Sequence, residues 1–294
     1  MVLNGLITTD SLFGVTITQS TLVTDPEHGN EFLQNASGTI YQNNRTLDTL
    51  TNRSDKEMSE RSYYYYNAKN YFAMHIVPEA GKEYEIEIKY PGMKTVYAKT
   101  TIPDKVTIEK LDTTRIKLPF VNEYVSDEGF LCQISFTDPP DEENYYLIGI
   151  IKSRSHDMNS DGIWHGDYML FTCDDAIVEE ELKSGSGIYS VAFSDKSING
   201  MAYKLTLSLK FQEIGIPLLP WEPAPYDTIR RTVLHFRLYS INKEYFTYIQ
   251  ELNLFYKNYR NPLAEPTQVR SNVAGGYGFF SGAAVSSDSL VFKY

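Results

Sequence analysis

KEYEIEIKY, Lys82–Tyr90, alternates aromatic or aliphatic residues with charged ones. Tyr84, Ile86, Ile88 and Tyr90 fall on one side of a period-two alternation, and Glu83, Glu85, Glu87 and Lys89 on the other. Successive side chains of a strand point to opposite faces, so this is a strand with one face buried and one wet. YPGM follows, with proline and glycine where a tight turn wants them, and KTVYAKTTI returns. Strand, turn and strand make a hairpin.

Working outward, Val2–Ile7, Gly14–Gln19 and Gly38–Gln42 read as further strands, while Asp25–Ser37 and Asn43–Glu60 read as polar loops. Pro103-Asp104 closes a first unit, with a boundary near residue 105. Strands are expected beyond it at Gly129–Asp138, Tyr145–Lys152, Tyr168–Cys173, Ile188–Phe193, Tyr203–Phe211 and Thr232–Ser240. IGIPLLPWEPAPYD, with Pro217, Pro220, Pro223 and Pro225, reads as an extended crossing segment, because proline cannot donate to a ladder. From Lys243 to Tyr259 the spacing changes: Tyr245, Phe246, Ile249, Leu252, Phe255, Tyr256 and Tyr259 recur mostly every three or four residues. That is an amphipathic helix, capped by Asn242 and carrying Glu244 at its positive end. The expectation is a mainly β protein: residues 1–105 as an N-terminal β-sandwich of immunoglobulin or transthyretin type, then residues 106–294 as a larger β-rich domain. The helix near 243–259 is expected to pack on the second domain's sheet through Phe246, Ile249 and Leu252.

Composition narrows the function. The chain has 294 residues and a net charge of −11. Nucleic-acid binding needs a basic stripe to replace phosphate counterions, and none is present. No apolar run approaches the ~18 residues that a spanning helix needs. An exported protein would have shed its leader, and the chain opens inside a strand, as a trimmed mature protein would. The 23 tyrosines suit half-wet strand faces and are also frequent contact residues. Cys132 and Cys173 sit in strand-like stretches and read as two buried free thiols, with a single bridge as the alternative.

Signatures of hydrolases, metalloproteases and kinases are missing, and the reading is a protein that is not an enzyme. GGYGFFSG, Gly275–Gly282, fails the dinucleotide fingerprint because its third glycine comes one place late, and it reads as a tight turn. HDMNSDGIWHGD, His156–Asp167, carries the opening half of a calcium loop. Asp157, Asn159 and Asp161 take the first, third and fifth ligand positions and Gly162 the sixth. The closing position is Tyr168, which cannot supply a bidentate carboxylate, so a plain polar connection is favoured over a calcium site and no cofactor is expected.

Several pieces occur in a telling order: VLNGLITTDSLFGVTITQS, PEAGKEYEIEIKY, TTIP, FTDPPDEENYYLIGI, FSDKSINGMAYKLTLSL, LYSINKEYFTYI, NPLAEPTQVRSNV and GGYGFFSG. In that order they resemble a Bacteroidetes family catalogued as domain of unknown function 4249, over nearly the whole chain. The resemblance implies an exported outer-membrane lipoprotein whose gene accompanies a TonB-dependent receptor. The lipobox cysteine is not seen here, and no catalytic residues come with the family.

The expected function is a non-catalytic, lipid-anchored accessory protein that helps a TonB-dependent receptor capture a nutrient. The alternative is a structural or adhesive surface module. Trp164 and Trp221 are the candidate ligand-contact residues, because tryptophan is favoured at binding hot spots, with plugs of the core as the equal alternative.

Overall fold

The structure, a computed structural model, describes residues 1–20, 32–52, 69–117, 128–155, 164–178, 189–214, 231–258 and 268–293. The protein is mainly β, with 56% of the described residues in strands and 9% helical. In chain order the strands are β1 (Val2–Thr8), β2 (Gly14–Thr18), β3 (Ser37–Gln42), β4 (Arg45–Asn52), β5 (Tyr71–Phe72), β6 (Glu83–Lys89), β7 (Val96–Thr101), β8 (Lys110–Lys117), β9 (Glu128–Thr137), β10 (Tyr145–Ser155), β11 (Trp164–Tyr168), β12 (Ser190–Ser194), β13 (Ala202–Lys210), β14 (Arg231–Ile241) and β15 (Tyr277–Lys293). Among the described residues the helices are a single turn, α1 (Phe211–Ile214), and α2 (Lys243–Asn258).

Two compact units share the chain. The first joins Met1–Lys105 to Ile241–Ala284, and the second joins Val106–Ser240 to Val285–Tyr294. This differs from the expected split, in which everything after residue 105 formed the second domain. The reason is β15. Its first half lies parallel to β1, with Val2 opposite Tyr277 and Thr8 opposite Ala283, so the C-terminal stretch completes the first unit. Helix α2 precedes it and belongs to the first unit as well, not to the second.

In the first unit the strands follow the order β15-β1-β2-β5-β4-β3-β6-β7. Leu3, Ile7, Val15 and Ile17 from one end and Ile40, Ile86, Ile88 and Val96 from the other enter one apolar cluster. A sheet that wraps its two ends around one core is a sandwich-like solution to having one apolar face. The hairpin read from the sequence is present. Strands β6 and β7 pair antiparallel from Glu83–Thr101 to Ile88–Val96. Gly92 takes φ +78° and the Met93 amide donates to the Tyr90 carbonyl at 3.1 Å, the geometry of a proline-glycine turn.

Two segments read as irregular are strands. Arg45–Asn52, placed in a loop, is β4, and it pairs with β3 through a two-residue turn in which Asn43 and Asn44 have φ 51° and 59°. Asparagine tolerates that conformation, and paired positive φ values match the twist of a hairpin. The strand is exposed along most of its length, so no apolar alternation marks it. Likewise GGYGFFSG turns only at its first two glycines, with Gly275 at φ +81°, and from Tyr277 it is the start of β15; the close backbone packing read there is present. Gly278 has φ +111°, and a Cβ there would lie 2.0 Å from the Leu3 carbonyl oxygen, so the close parallel approach of β1 requires glycine.

Helix α2 starts as read. The Asn242 side-chain oxygen accepts from the Tyr245 amide at 2.9 Å. Its buried anchor is Phe246, while Ile249 and Leu252 are half-buried. Tyr248 stacks on Phe279 with ring centroids 4.3 Å apart.

The second unit holds a three-stranded sheet, β13-β9-β8, and a run β11-β10-β14 continued by the end of β15. Strands β12 and β11 pair with successive halves of β10. Phe136, Tyr146 and Phe193 form its aromatic centre. The proline-rich segment at 215–230 lies outside the described residues.

Candidate ligand-binding groove

The outward face of β3, β6 and β7 is the polar side of the alternation that opens the sequence reading. Its register sets Glu87 directly opposite Tyr97 on β7, and Glu85 opposite Tyr41 on β3. The Asn43-Asn44 turn stands at one margin. At the other, Tyr97 and Ala274 exchange backbone hydrogen bonds of 2.9 and 2.8 Å, which fixes a short wall beside β7. The Asn272 amide holds that wall, donating to the Phe280 carbonyl at 2.7 Å and accepting from the Phe280 amide at 2.8 Å. Between the margins is a groove of about 570 Å³, lined by Tyr41, Asn44, Glu85, Glu87, Tyr97 and Lys99. That volume is within the range of small-molecule sites.

Hydrogen bonds order its floor. Both phenols donate to Glu87, Tyr97 to Oε1 at 3.0 Å and Tyr41 to Oε2 at 3.1 Å. Lys89 Nζ adds a third donor at 3.0 Å. The Lys89 ammonium and the two phenols hold the Glu87 carboxyl below the usual carboxylate range. Glu87 in turn raises the Tyr97 phenol. Lys99 bridges Glu83 at 2.7 Å and Glu85 Oε1 at 3.4 Å. The Glu85 side chain is 37% exposed. The Tyr97 side chain is half-exposed.

Elsewhere, polar groups that could suggest chemistry are tied into structure. Ser153 Oγ lies 3.1 Å from His235 Nε2, but Ser153 is buried, and burial lowers the imidazole's pKa. Asp138 and Asp195 are both buried. Asp138 accepts from the Tyr146 hydroxyl and the Gly200 amide, and Asp195 accepts from the Asn144 amide, so the pair pins two turns. Asp175 accepts from the Tyr203 hydroxyl at 2.5 Å and the Thr206 amide at 2.9 Å. Cys132 and Cys173 are free and buried, and burial pushes the Cys132 thiol up to about 12.

Of the residues singled out from the sequence, Trp164 opens β11, with its backbone opposite Arg154. Trp221 lies outside the described residues, as do Asp157, Asn159 and Asp161. No group of three or more metal-binding side chains occurs among the described residues. The groove was not anticipated. Glu83, Glu85 and Glu87 carry the signature of a solvated strand face, and Tyr41 lies beside a stretch that looks like loop. The one available signal was the tyrosine excess.

No helix of the structure is long and apolar enough to cross a membrane among the described residues. No curated protein and no solved structure shows significant similarity to the chain. Residues 1–289 match the family described as a domain of unknown function, DUF4249, and with almost the whole length covered the chain belongs to that family.

Proposed function

We propose that this is a non-catalytic binding protein held at the outer membrane by a lipid anchor, where it assists a TonB-dependent receptor in nutrient capture. The observation that carries the binding reading is the groove on β3, β6 and β7. It is an open groove that bears two tyrosines, and its floor is built on paired strands, so those contacts are preorganised. Its central carboxylate already accepts three donors, which suits a recognition surface better than a free general base. The membrane and receptor parts of the proposal come from the family resemblance. Trp164 and Trp221 remain candidate contacts of this protein, and a Trp164→Ala/Trp221→Ala variant tests them by receptor association.

Fractionation of the native host, followed by affinity capture from solubilised outer membrane, tests the reading. The protein should sediment with the outer membrane and bring down a TonB-dependent receptor. Recovery from the cytoplasm without a membrane partner would overturn it.

A further inference from the structure

We infer that the groove on β3, β6 and β7 takes a guanidinium or ammonium group, of a basic side chain or a free amine. This rests on the reading of the protein as a binding module. The phenol protons of Tyr41 and Tyr97 both point at Glu87, where they donate at 3.1 and 3.0 Å. A phenol whose proton is committed can only accept from a ligand, so both phenol oxygens offer lone pairs. Glu85 meets Lys99 only at 3.4 Å and its side chain is 37% exposed, so its carboxylate can take a further donor. Lys99, the lining cation, is already shared between Glu83 and Glu85. Acceptors therefore outnumber donors: the Asn44 amide offers both, and the Asn272 amide is tied to the Phe280 backbone.

Charge points the same way. Glu83, Glu85 and Glu87 stand against Lys89 and Lys99, which leaves one negative charge locally, on a chain of net charge −11. A ligand that fits must bring N–H donors and positive charge. Tyr97 is 51% exposed, and an exposed phenol ring attracts a cation over its face. An anion meets carboxylates here. A neutral polyol finds acceptors but gains nothing from the charge.

An NMR titration of the whole chain labelled on tyrosine rings tests the assignment. The probes are acetyl-Gly-Arg-Gly-amide, its neutral isostere with citrulline for arginine, cadaverine, maltose and inorganic phosphate. The arginine peptide should shift the Tyr41 and Tyr97 signals saturably and bind at least tenfold more tightly than the citrulline peptide. Glu85→Gln and Tyr97→Leu should each weaken it at least fivefold. Both positions are on the wet face, and an unchanged spectrum of buried Tyr71 and Tyr146 confirms the fold. Equal binding of cadaverine supports the cation site and assigns it to free amines. Equal binding of the citrulline peptide, indifference to Glu85→Gln, or saturation by maltose or phosphate alone overturns the proposal. Fractionating the same variants separates the two readings: a groove that ignores cations, on a protein still at the outer membrane with its receptor, sinks this inference and leaves the proposed function standing.

Discussion

The hairpin β6–β7 and the parallel pair β1–β15 lie in the same unit and are built in opposite ways. The hairpin joins neighbours in sequence, through a turn whose residues announce it. The parallel pair joins Val2 to Tyr277, across nearly the whole chain, and has no turn to set its register. Its register comes instead from side-chain and steric detail. The Asn4 side chain accepts from the Phe279 amide at 3.0 Å, Gly278 lets the Leu3 carbonyl approach, and Phe280 packs its ring 6.0 Å from Phe13. Local strands are held by turn chemistry and alternation, whereas distant ones are held by close packing. The parallel pair should therefore be the more brittle.

The strongest test is Gly278→Ala. The new Cβ would sit 2.0 Å from a backbone oxygen, at a φ that L residues rarely adopt. Strain of ~1–3 kcal/mol is the minimum, and the clash adds to it, so denaturant midpoints should fall steeply. Near-wild-type stability would show that β1 and β15 are not so close. Phe280→Ala comes next, with about 3–5 kcal/mol expected for a fully buried ring. Asn70→Ala should cost roughly 1–3 kcal/mol, because its amide satisfies both the Ile17 N–H at 2.8 Å and the Ile17 carbonyl at 3.1 Å.

The hairpin should respond weakly. Gly92 has φ +78° but open space around it, so Gly92→Ala should cost only the backbone term, about 1 kcal/mol. A loss as large as that at Gly278 would erase the contrast. Smallest is the pH effect of Glu87. Its folded pKa is lowered, so its contribution is present above the unfolded pKa and is lost as pH falls through the folded one. Unfolding followed from pH 6 down to pH 3 should show a slight acid-side loss that Glu87→Gln flattens. Loss of stability on the alkaline side instead would reverse the assigned sign.

The candidate groove shows what kind of information alternation carries. Tyr84, Ile86 and Ile88 face the core, as the pattern requires. The pattern also put Glu85 and Glu87 on the wet face, but a wet face looks the same in sequence whether it is bare or walled. The wall comes from Asn272 and Ala274, and the far margin from the Asn43-Asn44 turn. Neither has an apolar period, so neither could be placed in advance. Helix α2 illustrates a related limit. Its cap and its period are local and were legible, but whether Phe246 or Ile249 is the anchor depends on what lies opposite.

By itself the sequence determined what depends on neighbours along the chain. It set the mainly β character, the β6–β7 hairpin with its Pro91-Gly92 turn, the start of α2 at Asn242, and, through the order of its motifs, the family. Tertiary structure alone decided that Ile241–Ala284 joins the first unit and that GGYGFFSG opens a strand beside β1. It also decided that Tyr41 and Tyr97 meet at one carboxylate. The physical reason is range. Backbone propensity and side-chain alternation act over a few residues, whereas pairing between distant strands is settled by which surfaces can approach closely and satisfy their hydrogen bonds.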